Sequence, residues 1–89
     1  SGLSQDKIGI YELNEAFAAV GLASMKDLGI GEDVTNLNGG AIALGHPVGM
    51  SGNRVALHLL LEMKRQGVEY GAAALCGGGG QGDAILLKV

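Results

Sequence analysis

The sequence is poor in cysteine, proline and aromatic residues, and these shortages exclude several classes of protein. Its 89 residues include one cysteine, one proline, two tyrosines, one phenylalanine and no tryptophan. A single cysteine cannot form a disulfide within the chain and fits a reducing compartment, so we expect a cytoplasmic location. Three aromatic side chains offer little for base stacking, and six Lys and Arg against nine Asp and Glu lack the basic excess that a phosphate backbone requires. We therefore expect no nucleic acid among its partners.

Long apolar runs are also absent. The two longest, residues 16–20 and 72–76, have five residues each, whereas a membrane span needs about 18 or more. We therefore expect no membrane partner. No basic segment precedes an apolar stretch, so we expect no signal peptide. A chain of this length forms at most one small domain with a thin core, which contacts with a partner would help to complete.

Glycine, in contrast, is abundant. Seventeen of the 89 residues are glycine, whereas the usual share is about 7%. The glycines follow no collagen-like period and concentrate in two stretches, residues 39–52 and 77–82. Each stretch adjoins a segment that has the pattern of regular structure, so the sequence predicts two tight loops.

The first third of the chain shows a strand pattern followed by a helix pattern. Residues 8–13 predict a short strand. Asn14 stands where a helix N-cap belongs, and apolar or small side chains recur at helical spacing over residues 17–28. Gly29 can adopt the left-handed conformation that ends many helices. We therefore predict an amphipathic helix that Asn14 caps and Gly29 ends.

The middle of the chain predicts a loop and then a second helix. Residues 31–52 lack periodicity and predict a loop with at most a short strand at 41–44. Ser51 can cap the helix that follows, and Gly67 closes it. The apolar side chains of this segment recur at helical spacing on one face, which makes it the stronger of the two helix predictions.

Two short apolar runs near the end of the chain predict strands. Residues 72–76 and 84–89 are bounded by glycine or follow it closely, as is common for strands buried on both faces. The order is then strand, helix, loop, helix, strand, strand. This alternation indicates a layered α/β fold, with a single domain over residues 1–89.

His46 is a candidate base. It lies between Gly45 and Pro47, and the proline disfavours a helical conformation at the histidine, so an irregular loop displays the imidazole just before a helix. The positive end of that helix disfavours imidazolium, which would keep the ring able to accept a proton. A histidine with a purely structural hydrogen bond would show the same pattern, and these residues alone leave both interpretations open. His58, at the edge of a helix's apolar face, is interpreted as structural.

Cys76 is a candidate thiol. It ends a predicted strand and precedes four glycines at 77–80, whose unshielded N–H groups can converge on an anion or on the oxygen of a tetrahedral intermediate. A cysteine and a histidine from two glycine loops also fit the pattern of a thiol paired with a base. On spacing alone, a small buried residue at a strand end is the favoured interpretation. A redox-sensing thiol is a more remote one.

Three other motifs fail on their context. Residues 77–82 fit G-x-G-x-x-G, but the seven residues that follow are too few for the helix and acidic residue of a dinucleotide site. Residues 49–53 resemble a hydrolase nucleophile elbow, except that Asn53 replaces the second glycine. The two histidines and the cysteine have no recognised metal-ligand spacing, so we expect no metal.

Three blocks of the sequence together resemble the C-terminal half of a thiolase. They read ELNEAFA at 12–18, NGGAIALGHPVGMSG at 38–52 and CGGGGQG at 76–82. The blocks occur in the family's order, and the resemblance covers essentially the whole chain. It implies a thiolase-like layered fold, specifically the C-terminal part of the second thiolase domain. It also implies acyl transfer between coenzyme A and a second acyl-CoA through an acyl-cysteine intermediate.

The resemblance assigns roles to four residues. His46 would activate the nucleophile, and Cys76 would exchange a proton with the substrate α-carbon or with the thiol leaving group. Asn14, which the residues alone indicate as an N-cap, would hold a water that forms one oxyanion hole with His46. The backbone N–H of Gly78 would contribute to the other. These are the groups that Claisen chemistry needs to stabilise a thioester enolate while a proton moves.

The resemblance also implies what the chain lacks. The family's acylated cysteine belongs to an N-terminal domain, and Cys76 is the only cysteine here. We therefore expect the 89 residues alone to be inactive and to need that domain as a partner, with acyl-CoA or acetyl-CoA as substrate, no separate cofactor and a homo-oligomeric full-length form in lipid metabolism. A free-standing, non-catalytic thiolase-like binding or assembly module is the alternative.

Overall fold

A three-stranded sheet with one long helix packed against it forms the centre of the molecule in the computed structural model, which describes all of residues 1–89. Single 3₁₀ turns occur at Gln5–Lys7 and Glu32–Val34. The order confirms the α/β prediction, with one additional short helix inside the predicted loop. The elements are β1 (Ile10–Leu13), α1 (Ala18–Leu28), α2 (Ala41–Leu44), α3 (Ser51–Gln66), β2 (Tyr70–Gly77) and β3 (Gln81–Lys88).

The sheet is mixed, with β2 in its centre. Strand β1 runs parallel to β2, and β3 runs antiparallel to β2 on the other side. The second glycine stretch forms the tight turn between β2 and β3. Gly79 and Gly80 have φ angles of 84° and 77°, which only glycine adopts without strain. The parallel pair places the carboxyl ends of β1 and β2 at the same edge of the sheet.

Helix α3 supplies most of the core. Val55, Leu59 and Met63 recur on one face of the helix and pack against Ile10 of β1 and Ala73 of β2. All five side chains are buried, so the predicted apolar face is confirmed. Burial of this kind stabilises a fold by roughly 25 cal/mol per Å² of apolar surface removed from water. The helix ends at Gly67, which adopts the left-handed conformation expected of a C-terminal glycine.

Three predicted local features are wrong. The N-cap of α1 is Phe17 and not Asn14: the backbone N–H of Asn14 continues the sheet by donating to the Ala74 carbonyl at 2.9 Å, and the chain bends at residues 16–17 before the helix begins. Residues 41–44 form a helical turn and not a strand, which fits the good helix formers Ala and Leu. Ser51 is the first residue of α3 and makes no cap hydrogen bond, since Met50 occupies the N-cap position.

Strand β3 differs from the prediction in its burial. The sequence predicted a strand buried on both faces, but seven of its eight residues are exposed and Leu87 is half-buried. The reason is that α3 packs on β1 and β2, so little of the chain covers β3. Cys76 is also exposed, so its interpretation as a small buried residue is wrong. No helix reaches the length and apolar character that crossing a bilayer would require.

Candidate functional site

The carboxyl edge of β1 and β2 brings two of the predicted site residues together. Asn14 directly follows β1, and Cys76 lies at the end of β2, two residues beyond the last residue of β2 that pairs with β1. Both line one open cavity of about 300 Å³. Apolar atoms of Leu13, Val20 and Leu75 form much of its wall. A thiol and an amide at a partly apolar cavity can act together on a polar group of a bound molecule.

Asn14 has an unpaired donor. Its side chain is 2% exposed, and Oδ1 accepts a long hydrogen bond of 3.5 Å from Nη2 of Arg54. Its Nδ2 is buried without a hydrogen-bond partner. Leaving a buried donor unpaired costs about 1–3 kcal/mol. Asn14 therefore keeps an unused donor next to the cavity that the residue lines.

His46 lies in the loop between α2 and α3. The residue is exposed, and its Nδ1 is 2.5 Å from Oγ of Ser51. Its Nε2 has no hydrogen-bond partner within the chain. Within the chain, the imidazole is thus held through Nδ1 alone.

The loop of His46 adjoins the end of β2, although His46 does not line the cavity. Gly52, one residue into α3, is so close to β2 that a Cβ atom there would lie 3.3 Å from Cδ2 of Leu75. Leu75 directly precedes Cys76. No hydrogen bond within the chain joins His46 to Cys76 or to Asn14. The structure therefore places the histidine on a neighbouring loop at the same end of the molecule.

Gly78 lies in the turn between β2 and β3. Its carbonyl accepts a hydrogen bond of 2.8 Å from Nε2 of Gln81, while its N–H makes no backbone hydrogen bond. A Cβ atom at this position would meet nothing within 4 Å. The N–H of Gly78 is therefore without a backbone partner in an exposed turn.

A buried polar cluster behind Asn14 was not expected from the sequence. Glu12 is fully buried in β1, and its Oε1 lies 2.8 Å from Nδ1 of His58. Nδ2 of Asn38 lies 3.2 Å from Nε2 of the same ring and can donate to it. The charge of Arg54 acts on Glu12, while Nη2 of Arg54 contacts Asn14. The one available signal was a carboxylate inside an otherwise apolar strand.

Burial raises the pKa of Glu12 above its usual 4.5, and the neighbouring His58 and Arg54 partly oppose that rise. The second oxygen of the carboxylate, Oε2, has no partner. His58, interpreted as structural from the sequence, is held between Glu12 and Asn38. The structure contains no group of three or more His, Cys, Asp or Glu side chains that could hold a metal ion.

Comparisons with known proteins identify the same segment in longer chains. Residues 1–89 match the family model described as "Thiolase, C-terminal domain". A Mycobacterium leprae protein named "Probable acetyl-CoA acetyltransferase" is 59% identical to this chain over 87 residues, which cover 98% of the chain and 22% of that protein. The chain thus spans about a fifth of the length of the curated relatives that it matches.

Two solved structures share the fold. The crystal structure of human mitochondrial 3-ketoacyl-CoA thiolase matches with a TM-score of 0.93 and 47% identity, over 98% of this chain and 22% of the other. The crystal structure of Bacillus anthracis acetyl-CoA acetyltransferase matches with a TM-score of 0.91 and 44% identity, over 96% of this chain and 22% of the other. The likeness therefore extends over almost the whole of the present chain and a minor part of each crystal structure.

Proposed function

The chain belongs to the thiolase family and matches that family's C-terminal domain, and we propose that it works within an acyl-CoA C-acyltransferase. In the thiolysis direction, coenzyme A and a 3-ketoacyl-CoA give acetyl-CoA and a shortened acyl-CoA; the reverse reaction forms the carbon–carbon bond. Acetyl-CoA and other acyl-CoA thioesters are the proposed substrates. The chemistry uses thiols, a base and backbone donors, with no separate cofactor.

One observation carries the proposal. Asn14 and Cys76, which are 62 positions apart in the numbered sequence, line one cavity at the carboxyl edge of the sheet. The start of α3, which directly follows the loop of His46, lies against the strand of Cys76 at Gly52 and Leu75. A thiol, a base and an unpaired amide donor at one end of the fold are what acyl transfer through an enolate requires.

Each group has a proposed step. His46 accepts a proton at Nε2 from the nucleophilic thiol. Cys76 then exchanges a proton with the substrate α-carbon, or with the departing thiolate in the opposite direction. Nδ2 of Asn14 holds a water that, with His46, stabilises the enolate oxygen. The N–H of Gly78 stabilises the oxyanion formed on the acylated cysteine.

The nucleophile itself lies outside these residues in the proposal. Cys76 is the only cysteine of the chain, so the acylated cysteine would come from an N-terminal thiolase domain. We extend the proposal to a cytoplasmic homo-oligomer that acts in lipid metabolism. A free-standing, non-catalytic module is not favoured, because the relatives carry the names of enzymes and all four proposed site residues are present in this chain.

A swap chimera tests the proposed roles. Residues 1–89 replace the matched segment of human mitochondrial 3-ketoacyl-CoA thiolase, and the measurement is CoA-dependent cleavage of acetoacetyl-CoA. We expect an active chimera, a loss of about 10²-fold or more in kcat for His46→Ala and for Cys76→Ala, and a loss of about 10²–10³-fold for Asn14→Ala.

Two controls accompany the chimera. Asn53→Ala, at an exposed position of α3, removes an amide outside the proposed site and should leave kcat unchanged. The 89-residue chain alone should show no cleavage, because it lacks the nucleophile. Full activity of the His46 and Cys76 variants, or cleavage by the chain alone, would contradict the proposal.

A further inference from the structure

We propose that Ser51 is a positioning residue that fixes the tautomer of His46 with the proton on Nδ1. This leaves Nε2 unprotonated in the neutral ring and directed away from the serine, as the base. The inference relies on the proposed function only for naming His46 as the base. The tautomer is a property of this chain and can be measured without any turnover.

The position of Ser51 differs from that of an ordinary capping serine. It is fully buried as the first residue of α3, while Met50 occupies the N-cap position. Its hydroxyl bonds none of the free N–H groups at the start of the helix. Its Oγ instead lies 2.5 Å from Nδ1 of His46 and 3.1 Å from the carbonyl oxygen of Pro47. The hydroxyl therefore links two residues of the preceding loop.

The directions of these two hydrogen bonds are coupled, because the hydroxyl has one hydrogen to donate. A serine hydroxyl carries one hydrogen and can accept through its lone pairs. We assign that hydrogen to the carbonyl oxygen of Pro47, four residues earlier, as a serine within a helix commonly donates to the i−4 carbonyl; the same oxygen also accepts the N–H groups of Met50 and Ser51 at 2.9 and 3.0 Å. The contact with His46 then requires Nδ1–H as the donor. A neutral imidazole has only one N–H, so its Nε2 is the acceptor.

The same contact survives protonation of the ring. In imidazolium both nitrogens carry hydrogens, so Nδ1–H continues to donate to Ser51 while Nε2 gains or loses the transferred proton. The ring need not rotate between the two steps of a proton transfer. His46 is otherwise exposed, and no other hydrogen bond holds its side chain. Ser51 is thus the only hydrogen-bond partner that orients the ring.

The test is the ring ¹⁵N NMR spectrum of the swap chimera, labelled with ¹⁵N at its histidines, at a pH where the imidazoles are neutral. The chain has two histidines, and the signals absent from His46→Gln identify His46. We expect a protonated Nδ1 and an unprotonated Nε2 for His46. A spectrum with Nε2 protonated would overturn the proposal, because the hydroxyl would then be donating to the ring.

Two variants separate positioning from simple structural support. Ser51→Ala should abolish the dominance of the Nδ1–H form for His46, while the His58 signals stay in place because Glu12 and Asn38 hold that ring. Ser51→Thr keeps a hydroxyl and should restore the tautomer, even if its extra methyl lowers the melting temperature. An unchanged His46 spectrum in Ser51→Ala would also overturn the proposal.

The swap chimera supplies the functional measurement. Ser51→Ala should lower kcat for acetoacetyl-CoA cleavage by about 10- to 100-fold, as is typical when an orienting partner of a functional histidine is removed. KM should change little, and Ser51→Thr should recover most of the loss. A kcat for Ser51→Ala equal to that of the parent chimera would refute the positioning role in turnover. An inactive parent chimera whose His46 still shows the Nδ1–H tautomer would refute the proposed function and leave the tautomer assignment intact.

Discussion

Glu12 is a carboxylate whose charged form is disfavoured by burial in the fold. Its carboxylate is fully buried, one oxygen pairs with His58, and the other has no partner. Burial raises its pKa above 4.5, so the folded chain binds a proton here more readily than the unfolded chain does. The resulting contribution to stability is fully present below about pH 4.5 and is lost as the pH rises through the pKa of the folded state.

Glu12→Gln removes that pH dependence. Glutamine keeps an oxygen that can accept from His58 and carries no charge. We expect the free energy of unfolding of the variant, relative to that of the parent chain, to rise between about pH 4.5 and neutrality. Urea unfolding at several pH values measures this difference. A difference that stays constant or falls with pH would contradict this account of Glu12.

Glu62 provides a control, because its pKa shift has the opposite sign to that of Glu12. Hydrogen bonds from Arg65 and Gln66 lower its pKa to about 2. Its contribution to stability is therefore present above about pH 4.5 and is lost as the pH falls toward 2. The difference in the free energy of unfolding between Glu62→Gln and the parent chain should shrink on acidification. The corresponding difference for Glu12→Gln should change above pH 4.5. The same titration curve in both variants would show that the pH dependence does not come from these two carboxylates.

At the scale of elements, Gly71 sets how closely α3 approaches β2. A Cβ atom at this position would lie 2.8 Å from Cδ1 of Leu59 and 2.5 Å from Sδ of Met63. Both of those side chains are fully buried. The contact between helix and sheet therefore has no room for an additional methyl group.

Gly71→Ala should destabilise the fold by about 1–3 kcal/mol, because it forces the helix away from the strand or the two side chains out of their rotamers. Thermal unfolding followed by circular dichroism measures the effect. Gly49→Ala is the matched control, since a Cβ atom there meets nothing within 4 Å. Equal melting temperatures for the two variants would show that the helix can move at no cost.

Helix α3 and the three strands could be predicted because their signals are local. The apolar face of α3 repeats within the helix, and the glycine turn before β3 is visible in the sequence. The start of α1 could not be predicted, because the sheet extends as far as Asn14 through a hydrogen bond to Ala74, which is far along the chain. The exposure of β3 likewise depends on which elements cover it and not on its own residues.

The candidate site likewise has features that the sequence predicts and features that only the structure shows. Glycine stretches mark the loops of His46 and Cys76, so both were candidates from the sequence. The pairing of Glu12 with His58 joins residues 46 positions apart, and no pattern within the chain indicates it. The contact of His46 with Ser51 spans five residues, but serine before a helix predicts a cap. Only the structure shows that the hydroxyl is directed back to the loop.

At the scale of the whole molecule, the apolar surface fits a chain that works with further protein. Phe17, Leu57 and Leu61 are each more than half exposed, and Ile85 and Leu86 are exposed on β3. Large exposed apolar side chains in such numbers are typical of surfaces that another chain or domain covers. In the proposed function, the remaining part of a thiolase covers this apolar surface.

This proposal predicts the size of the native polypeptide. An antibody against residues 1–89 should detect a band several-fold heavier than the 9.0 kDa of this chain in the source cells. The reason is that the curated relatives are between four and five times longer than the segment they share with it. A band at 9.0 kDa alone would contradict the proposed partnership and favour a free-standing module.

The most direct test of the account is the exchange of the acetyl-CoA methyl hydrogens with D₂O, catalysed by the swap chimera and measured by mass spectrometry. Proton transfer at the α-carbon is the step assigned to Cys76, and general acid–base catalysis contributes about 10²–10⁴-fold to such steps. We predict that Cys76→Ser slows the exchange by about 10²-fold or more, while Asn53→Ala exchanges at the parent rate. Exchange by Cys76→Ser at the parent rate would contradict the assignment of Cys76 as the group that moves this proton.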